Sequence, residues 1–220
     1  MSQPLAPRRN VLIVDDHSIV REGLKKIIGD SGQFTISADV ESGLLAIQRV
    51  RDTAIDLVLL DISLPDKNGI DVLKQIKKEY PNLPVLILSL HPENHYAVRA
   101  LQAGASGYVN KKSTSTELLD AMHTAISGLK FITPTLAQEL AHGLNKDRSR
   151  ALHASLSDRE YQTLIMIGSG KTVTEIAQQL TLSVKTISMY RSRLLQKMSL
   201  RNNAELTHYA LRNQLVPDLT

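Results

Sequence analysis

The chain has 220 residues, of which 42% are apolar, 22% charged and 4% aromatic, so it has the composition of a folded protein and the length of two domains. It has no cysteine, which excludes a disulfide framework, a cysteine-ligated metal site and a thiol nucleophile. No apolar run approaches the roughly 20 residues that span a bilayer, and no apolar segment follows Arg8 and Arg9 as a secretory signal requires. We therefore expect a cytoplasmic protein that does not contact membranes.

The formal net charge of +4 is distributed unevenly along the chain. Residues 1–133 hold 15 basic and 15 acidic side chains, residues 134–154 hold three and two, and residues 155–220 hold eight and five. The excess is therefore 0, +1 and +3 in the three segments, which sum to the total. Only the last segment has an electrostatic reason to bind nucleic acid.

Short apolar runs alternate with helical patterns over the first 130 residues. The runs have the length and continuous apolar character of buried parallel strands and lie at 11–14, 34–38, 57–60, 84–88 and 107–109. Helical patterns follow them at 18–28, 43–50, 69–78, 94–103 and 116–127. Five strand–helix units with right-handed crossovers predict a flavodoxin-like, doubly wound α/β domain with a five-stranded parallel sheet.

The last third of the chain has helical patterns alone. The residues at 157–160 and 172–175 have the spacing of capping boxes, which predict the starts of two helices. Two further helices are expected over 184–198, with Ser183 as the N-cap, and over 204–213. Four short helices joined by tight turns predict a small all-α domain that contains a helix-turn-helix.

A change in composition separates the two patterned regions. The segment between them opens with leucines at a four-residue spacing and then becomes polar over 145–150. We therefore place an N-terminal tail at 1–9, the α/β domain at 10–131, a linker with a helix at 132–154, and the helix-turn-helix domain at 155–217.

Polar and charged residues follow the predicted strands, at the edge where a doubly wound sheet carries its function. In chain order they are Asp15, Asp16, Asp61, Ser89 and Lys111. Three carboxylates in one pocket repel one another unless a cation lies among them. Oxygen ligands without histidine or cysteine suit Mg²⁺, so the sequence predicts a magnesium site at this edge.

A metal ion, a lysine and a hydroxyl around one aspartate describe a phosphoryl acceptor. The Asp61 carboxylate would attack phosphorus and become an acyl phosphate, while Mg²⁺ and the lysine neutralise the transferring oxygens. The pattern leaves open whether Lys111 or Lys112 is that lysine. Unconnected aspartates in solvated loops are the alternative, which is disfavoured because each member follows its own strand.

The third helix of the all-α domain is basic and amphipathic. Val184, Ile187, Leu194 and Met198 are predicted to form its apolar face, and five basic residues but no acidic one lie between residues 183 and 201. An acid-free basic helix after a short helix and a tight turn is typical of a recognition helix in the DNA major groove. Its cations would bind phosphates, and its serine, threonine and methionine side chains would contact bases.

These motifs resemble two bacterial domains in combination. The stretches VLIVDD at 11–16, LLD at 59–61, LP at 64–65 with Gly69, and GYVNK at 107–111 are similar to the receiver domain of two-component response regulators. The C-terminal stretch at 156–215 resembles the LuxR-type helix-turn-helix of the NarL/FixJ class. The resemblance covers the chain apart from the N-terminal tail and the linker.

The resemblance implies a role for each matching residue of the first domain. Asp61 is the implied phosphoacceptor, and Lys111 is implied to bind the phosphoryl group. The implied Mg²⁺ ligands are Asp15, Asp16, Asp61 and the carbonyl of Ser63. The implied switch residues are the hydroxyl-bearing Ser89 and the aromatic Tyr108.

For the second domain the resemblance implies contacts with DNA from one helix. The residues implied to hold the DNA backbone are Lys185, Thr186, Tyr190 and Arg193, and Lys197 is a further phosphate contact predicted from the basic pattern. The residues implied to face bases are Ser188, Met189 and Ser192. The last helix is implied to serve a DNA-bound dimer.

We therefore expect a DNA-binding response regulator that is not an enzyme, accepts a phosphoryl group on Asp61 from a sensor histidine kinase, and forms a homodimer on two promoter half-sites. One alternative is a phosphorylation-independent DNA-binding regulator whose receiver serves dimerisation or ligand sensing. A flavodoxin-like cofactor binder is disfavoured because no glycine-rich phosphate loop follows the first strand. A lactone-sensing transcription factor is disfavoured because the chain has no tryptophan and only two phenylalanines.

Overall fold

The computed structural model describes residues 8–90, 93–145, 152–213, 215 and 216. The chain divides into two compact units, which span Met1–Thr133 and Pro134–Thr220. Most of the expected N-terminal tail and the polar part of the expected linker lie outside the described residues. Among the described residues, no helix combines the length and apolar character that crossing a membrane requires.

The first unit is built on a five-stranded parallel sheet in the order β2-β1-β3-β4-β5. Its strands are β1 Arg9–Val14, β2 Phe34–Val40, β3 Leu57–Asp61, β4 Val85–Ser89 and β5 Gly107–Asn110. All residues of β3 and β4 are buried, as expected for central parallel strands with helices on both faces. The strand order changes direction at the neighbours β1 and β3, so their carboxyl ends form the switch point of the sheet.

Helices connect the strands and cover the sheet, which confirms the predicted doubly wound fold. They are α1 Ser18–Ser31, α2 Gly43–Asp52, α3 Gly69–Glu79, α4 Glu93–Gln102 and α5 Ser115–Ile126. Residues of α1 and α5 share one hydrophobic core with alternate residues of β1, β3 and β4, so these two helices lie on the same face. Side chains of Ser42, Asn68 and Thr114 cap α2, α3 and α5.

Strand β2 is longer than the apolar pattern indicates. The pattern ends at residue 38, but Asp39 and Val40 continue the pairing with Ile13 and Val14 of β1. Backbone hydrogen bonding rather than apolar character extends the strand, since the Val40 carbonyl also accepts a bond from the Asp15 N–H at 3.1 Å. The extension places a carboxylate, Asp39, beside the carboxyl end of β1.

Backbone hydrogen bonds close the turn that follows β3 and Asp61. The Gly69 N–H donates to the Ile62 carbonyl at 2.8 Å, and Ser63 and Asn68 form an antiparallel bridge. A Cβ atom on Gly69 would overlap the Asp61 carbonyl oxygen and lie 2.7 Å from Ile62 Cα. Only glycine therefore permits the approach of α3 to the end of β3.

The chain that leaves α5 pairs with the edge of the sheet. The Phe131 N–H donates to the Ser106 carbonyl at 2.8 Å, and Phe131 forms a parallel bridge with Gly107 of β5. A Cβ atom on Gly107 would lie 2.9 Å from Phe131 Cβ, so the absence of a side chain allows this pairing. Lys130 Nζ donates to the Ala105 carbonyl and holds the same segment.

The second unit is helical, as predicted. Its elements are α6 Pro134–Asn145, a 3₁₀ turn Leu152–Ser155, α7 Asp158–Gly168, α8 Val173–Gln179, α9 Val184–Met198 and α10 Asn203–Arg212. Both predicted capping boxes form, at the starts of α7 and α8. Helix α7 packs against α9 and α10, and α8 packs against α9, with Thr181 in the left-handed region at φ 52° in the turn between α8 and α9. Helices α8 and α9 therefore form the helix-turn-helix.

We expect Gly69→Ala to lower the free energy of unfolding by about 1–3 kcal/mol, because the added methyl overlaps the backbone at Asp61. Gly23→Ala is the matched control, since a Cβ at this exposed position of α1 meets no atom within 4 Å. The control should raise stability by about 0.5–1 kcal/mol. Urea unfolding followed by circular dichroism measures both changes, and equal effects of the two substitutions would contradict the close approach at Gly69.

Candidate functional site

A buried ammonium group joins two carboxylates at the carboxyl edge of the sheet. Lys111 Nζ lies 2.6 Å from Asp15 Oδ2 and 2.9 Å from Asp61 Oδ2. The exposed fractions of these side chains are 5% for Lys111, 0% for Asp15 and 3% for Asp61. Lys112 is exposed to solvent, so the structure places the first of the two candidate lysines in the pocket.

Asp16 and His17 complete the cluster around the two buried carboxylates. One ligand atom from each of Asp15, Asp16, His17 and Asp61 lies within 4.8 Å of the others. Asp16 Oδ1 is buried and accepts no hydrogen bond from the described residues, and His17 Nδ1 lies 2.8 Å from it. Closely spaced carboxylate oxygens with such a buried oxygen suit a hard divalent cation.

The protonation states of Asp61 and Lys111 are set by burial and by each other. Burial raises the pKa of Asp61 to about 6, repulsion from Asp15 adds to the rise, and Lys111 and the Ser63 N–H oppose it. Burial alone would lower the pKa of Lys111, but the two carboxylates outweigh it and raise that pKa above its usual value. The lysine is therefore cationic at neutral pH, and any further cation in the pocket favours ionised Asp61.

The predicted switch residues lie on β4, which is next to β3, and on β5, the following strand of the sheet. Ser89 is the last residue of β4 and is 1% exposed, and Tyr108 of β5 is fully buried. In the strand register, Ser89 pairs with Asn110 and Tyr108 with Ile87. The Ser89 carbonyl accepts a hydrogen bond from the Lys111 N–H at 2.8 Å, so the backbone that carries the serine also holds the lysine.

Two residues near the pocket were not singled out as site residues by the sequence patterns. His17 is the N-cap of α1, and its ring Nδ1 lies 2.8 Å from Asp16 Oδ1 and 3.3 Å from Asp15 Oδ1. Arg21 Nη1 donates to the Asp15 carbonyl at 2.7 Å, and no sequence signal marks this bond because its acceptor is a backbone atom.

Helix α9 presents most of the predicted DNA contacts to solvent. Exposed are Lys185, Ser188, Met189, Ser192, Arg193 and Lys197, while Thr186 and Tyr190 are half-buried. Ile187, Leu194 and Met198 are buried, as predicted. Val184, the first helical residue after the Ser183 N-cap, is 49% exposed.

Two of the cations on α9 are engaged within the second unit. Lys197 Nζ lies 2.7 Å from Glu160 Oε2, and Glu160 is itself buried and accepts a bond from the Ser157 N–H. Arg191 Nε donates to Asn203 Oδ1 at 2.5 Å. The charges of Lys185 and Arg193 remain on the exposed surface of the helix.

The fold and the site define a class of protein that sequence comparison identifies. The family of response regulator receiver domains matches residues 11–123, and the luxR family of bacterial regulatory proteins matches residues 154–210. Both families therefore match within the units that the structure separates. The chain belongs to the response regulators, with an N-terminal receiver domain and a C-terminal LuxR-type DNA-binding domain.

Individual relatives match over nearly the whole chain. The response regulator UvrY of Escherichia coli is 35% identical over 94% of this chain and 95% of its own length. The response regulator GacA of Pseudomonas protegens is 32% identical over 94% and 97%, respectively. The structure of RcsB from Salmonella enterica serovar Typhimurium bound to promoter P1flhDC with phosphomimetic BeF3− matches with a TM-score of 0.64 and 27% identity, covering 94% of this chain and all of RcsB. This protein is therefore similar to UvrY, GacA and RcsB throughout both domains.

We expect metal-free Asp61→Asn to be more stable than the wild type at about pH 7.5, by up to about 3 kcal/mol, because burial of the charged carboxylate is removed. The folded wild type binds the Asp61 proton more tightly than the unfolded chain does. Its relative stability therefore rises as the pH falls through about 6, and the difference should nearly vanish at about pH 4.

Urea unfolding in the presence of a chelator measures this difference at both pH values. Asp52→Asn, which changes an exposed carboxylate on α2, is the control and should differ from the wild type by less than about 0.5 kcal/mol. A variant at Asp61 that is less stable than the wild type at the higher pH would mean that the ion pair with Lys111 outweighs burial.

Proposed function

We propose that phosphorylation of Asp61 controls the binding of promoter DNA by α9, with the protein acting as a homodimer. The observation that carries this proposal is the Lys111 ammonium between the buried Asp15 and Asp61 carboxylates. An acidic pocket with an inward lysine is built to accept an anionic group and to compensate its charge. A phosphorylation-independent receiver has no use for three clustered carboxylates that repel one another.

The chemistry at the pocket is a phosphoryl transfer to a carboxylate. One Asp61 oxygen forms a bond to phosphorus as the P–N bond of a donor phosphohistidine breaks, and the electron pair of that bond leaves with the imidazole nitrogen. Lys111 Nζ is within reach of the new phosphoryl oxygens because it already contacts Asp61. The proposed donor is a sensor histidine kinase, because a receiver domain implies such a kinase as its partner.

The acidic cluster supplies the ligands of a divalent cation. Asp15, Asp16, Asp61 and the Ser63 carbonyl would hold Mg²⁺, a cation that these oxygen donors suit. When bound, Mg²⁺ neutralises charge on the phosphoryl oxygens during transfer. The residues themselves hold the acceptor carboxylate ionised and keep its oxygen next to Lys111.

Phosphorylation changes the strands beside the acceptor. The acyl phosphate carries a charge of about −1.5 to −2 where Asp61 carried at most one, so Lys111 moves to the phosphoryl oxygens. The Ser89 hydroxyl, at the end of the adjacent strand, donates to one of these oxygens, and Tyr108 repacks on β5. The surface of α4, β5 and α5 then differs between the two forms and favours dimerisation.

The second domain binds DNA through the exposed face of α9. Lys185 and Arg193 contact phosphates, with Thr186 and Tyr190 beside them, and Ser188, Met189 and Ser192 face the bases. We leave Lys197 out of the proposed contacts because its ammonium pairs with Glu160. The similarity to RcsB, solved as two dimers bound to DNA, supports a dimer on two half-sites.

We expect the wild type, incubated with Mg²⁺ and acetyl phosphate, to gain the mass of one phosphoryl group and to bind its promoter DNA more tightly. Asp61→Asn should gain no mass and show no such increase, because the acceptor oxygen is replaced by an amide. Intact-mass spectrometry and fluorescence anisotropy with labelled DNA measure the two properties. A mass gain that survives the substitution, or equal DNA binding with and without phosphate, would contradict the proposal.

We expect Arg193→Ala to weaken DNA binding on all sequences and to reduce the slope of log K against log salt concentration by about 1, because one phosphate contact is lost. Lys197→Ala is the matched control on the same helix: it should leave the slope unchanged and lower the stability of the second unit, since it leaves Glu160 buried without its cation. Salt titrations of DNA binding test both variants. A reduced slope for Lys197→Ala alone would reverse the assignment of these two residues.

A further inference from the structure

A guanidinium group lies between the metal-ligand loop and the second strand of the receiver. Arg21, in the first turn of α1, donates from Nη1 to the Asp15 carbonyl at 2.7 Å and from Nε to Asp39 Oδ2 at 3.1 Å. Its side chain is 15% exposed, so both bonds are shielded from most of the solvent. The arginine thus connects a backbone atom of a carboxylate in the pocket to a strand that carries none of the pocket residues.

Asp39 fixes the orientation of this arginine. It lies in β2 opposite Ile13 of β1, and its second oxygen, Oδ1, lies 2.9 Å from Lys25 Nζ. The two cations are one helical turn apart on α1 and share one carboxylate. Both carboxylate oxygens of Asp39 therefore have a cationic partner, and this fixed carboxylate sets the orientation of the Arg21 guanidinium group.

The Asp15 backbone needs hydrogen bonds from other parts of the domain, because Asp15 lies in the loop between β1 and α1. β1 ends at Val14 and α1 begins at Ser18. The Asp15 N–H donates to the Val40 carbonyl at 3.1 Å, and its carbonyl accepts from Arg21, so β2 restrains the peptide on one side directly and on the other through Asp39. The Asp15 carboxylate is thereby aimed at Lys111, from which it lies 2.6 Å.

We propose that Arg21, oriented by Asp39, is a positioning residue for the divalent cation in the acidic pocket. It holds the Asp15 backbone in the conformation that presents the carboxylate to the cation. The proposal rests on the proposed function, since it takes the pocket as the cation site used in phosphorylation. Lysine is not equivalent to arginine here, because its single nitrogen cannot take the positions of both Nε and Nη1, which contact Asp39 Oδ2 and the Asp15 carbonyl.

The test measures the Mg²⁺ dissociation constant of the full chain by isothermal titration calorimetry, together with thermal unfolding and the rate of phosphorylation by acetyl phosphate. Arg21→Lys keeps the charge and loses the planar pair of donors, so it should raise the dissociation constant roughly tenfold, as loss of a group that orients a metal ligand does. Asp39→Asn should shift it in the same direction by a smaller factor. The double variant should bind no more weakly than Arg21→Lys, because both substitutions break the same connection. At saturating Mg²⁺ the phosphorylation rates of all three should approach that of the wild type.

Two control variants separate positioning from general effects of charge and stability. Lys25→Met removes the other ion pair of Asp39 without touching Asp15, and Arg51→Lys breaks the two bonds to Glu79 between α2 and α3, away from the pocket. Both should keep the dissociation constant within about twofold of the wild type, well short of the shift expected for a group that orients a ligand. If Lys25→Met weakened Mg²⁺ binding as much as Arg21→Lys, the effect would be electrostatic and the proposal would be overturned.

The remaining outcomes also decide the question. Wild-type affinity in Arg21→Lys and Asp39→Asn would overturn the positioning role and leave the phosphoacceptor intact. If Arg21→Lys failed to fold, Asp39→Asn alone would decide, since it retains the arginine. A wild type that neither binds Mg²⁺ nor accepts phosphate would instead overturn the proposed function, and the positioning role with it.

Discussion

The receiver domain depends on one buried ammonium group that lets two carboxylates lie together inside the protein. Moving an unpaired ion out of water costs several kcal/mol, and Asp15 and Asp61 are almost inaccessible to solvent. Lys111 comes from the far end of the sheet, since β4 lies between β5 and β3. Its side chain must therefore extend past the end of β4, where the small Ser89 leaves room for it. The same lysine is thus a structural cation in the pocket, and in the proposed function it also binds the phosphoryl group.

The contacts of Lys111 with both carboxylates make the pocket sensitive to a change of charge at Asp61. Burial and Asp15 raise the pKa of Asp61 to about 6, and Lys111 opposes that rise, so the lysine favours the ionised, nucleophilic carboxylate. In the proposed function, a phosphoryl group on Asp61 makes the negative charge there larger than that of Asp15, so Lys111 is no longer attracted about equally to both residues. The strand ends that carry Ser89 and Lys111 are joined by a backbone hydrogen bond, so the proposed function predicts that β4 and β5 respond together.

The sequence predicted the pocket because parallel strands end at one edge, a rule that needs only the strand positions. Other features depend on geometry that no local pattern contains. The choice between Lys111 and Lys112 is made by the path of the chain after β5. The exposure of Val184 reflects where the core stops, which helical periodicity does not define. The pairing of Lys197 with Glu160 joins residues 37 positions apart, and the contact of Arg21 with Asp15 uses a carbonyl that every residue possesses.

One isolated parallel bridge, between Phe131 and Gly107, pairs the end of the receiver with the edge strand β5 of its sheet. β5 carries Tyr108 and leads directly to Lys111, so the strand with a proposed switch residue is also the strand against which the end of the receiver pairs. A displacement of β5 therefore also moves the backbone at Phe131, because the Ser106 carbonyl and the bridge to Gly107 hold that residue against the strand.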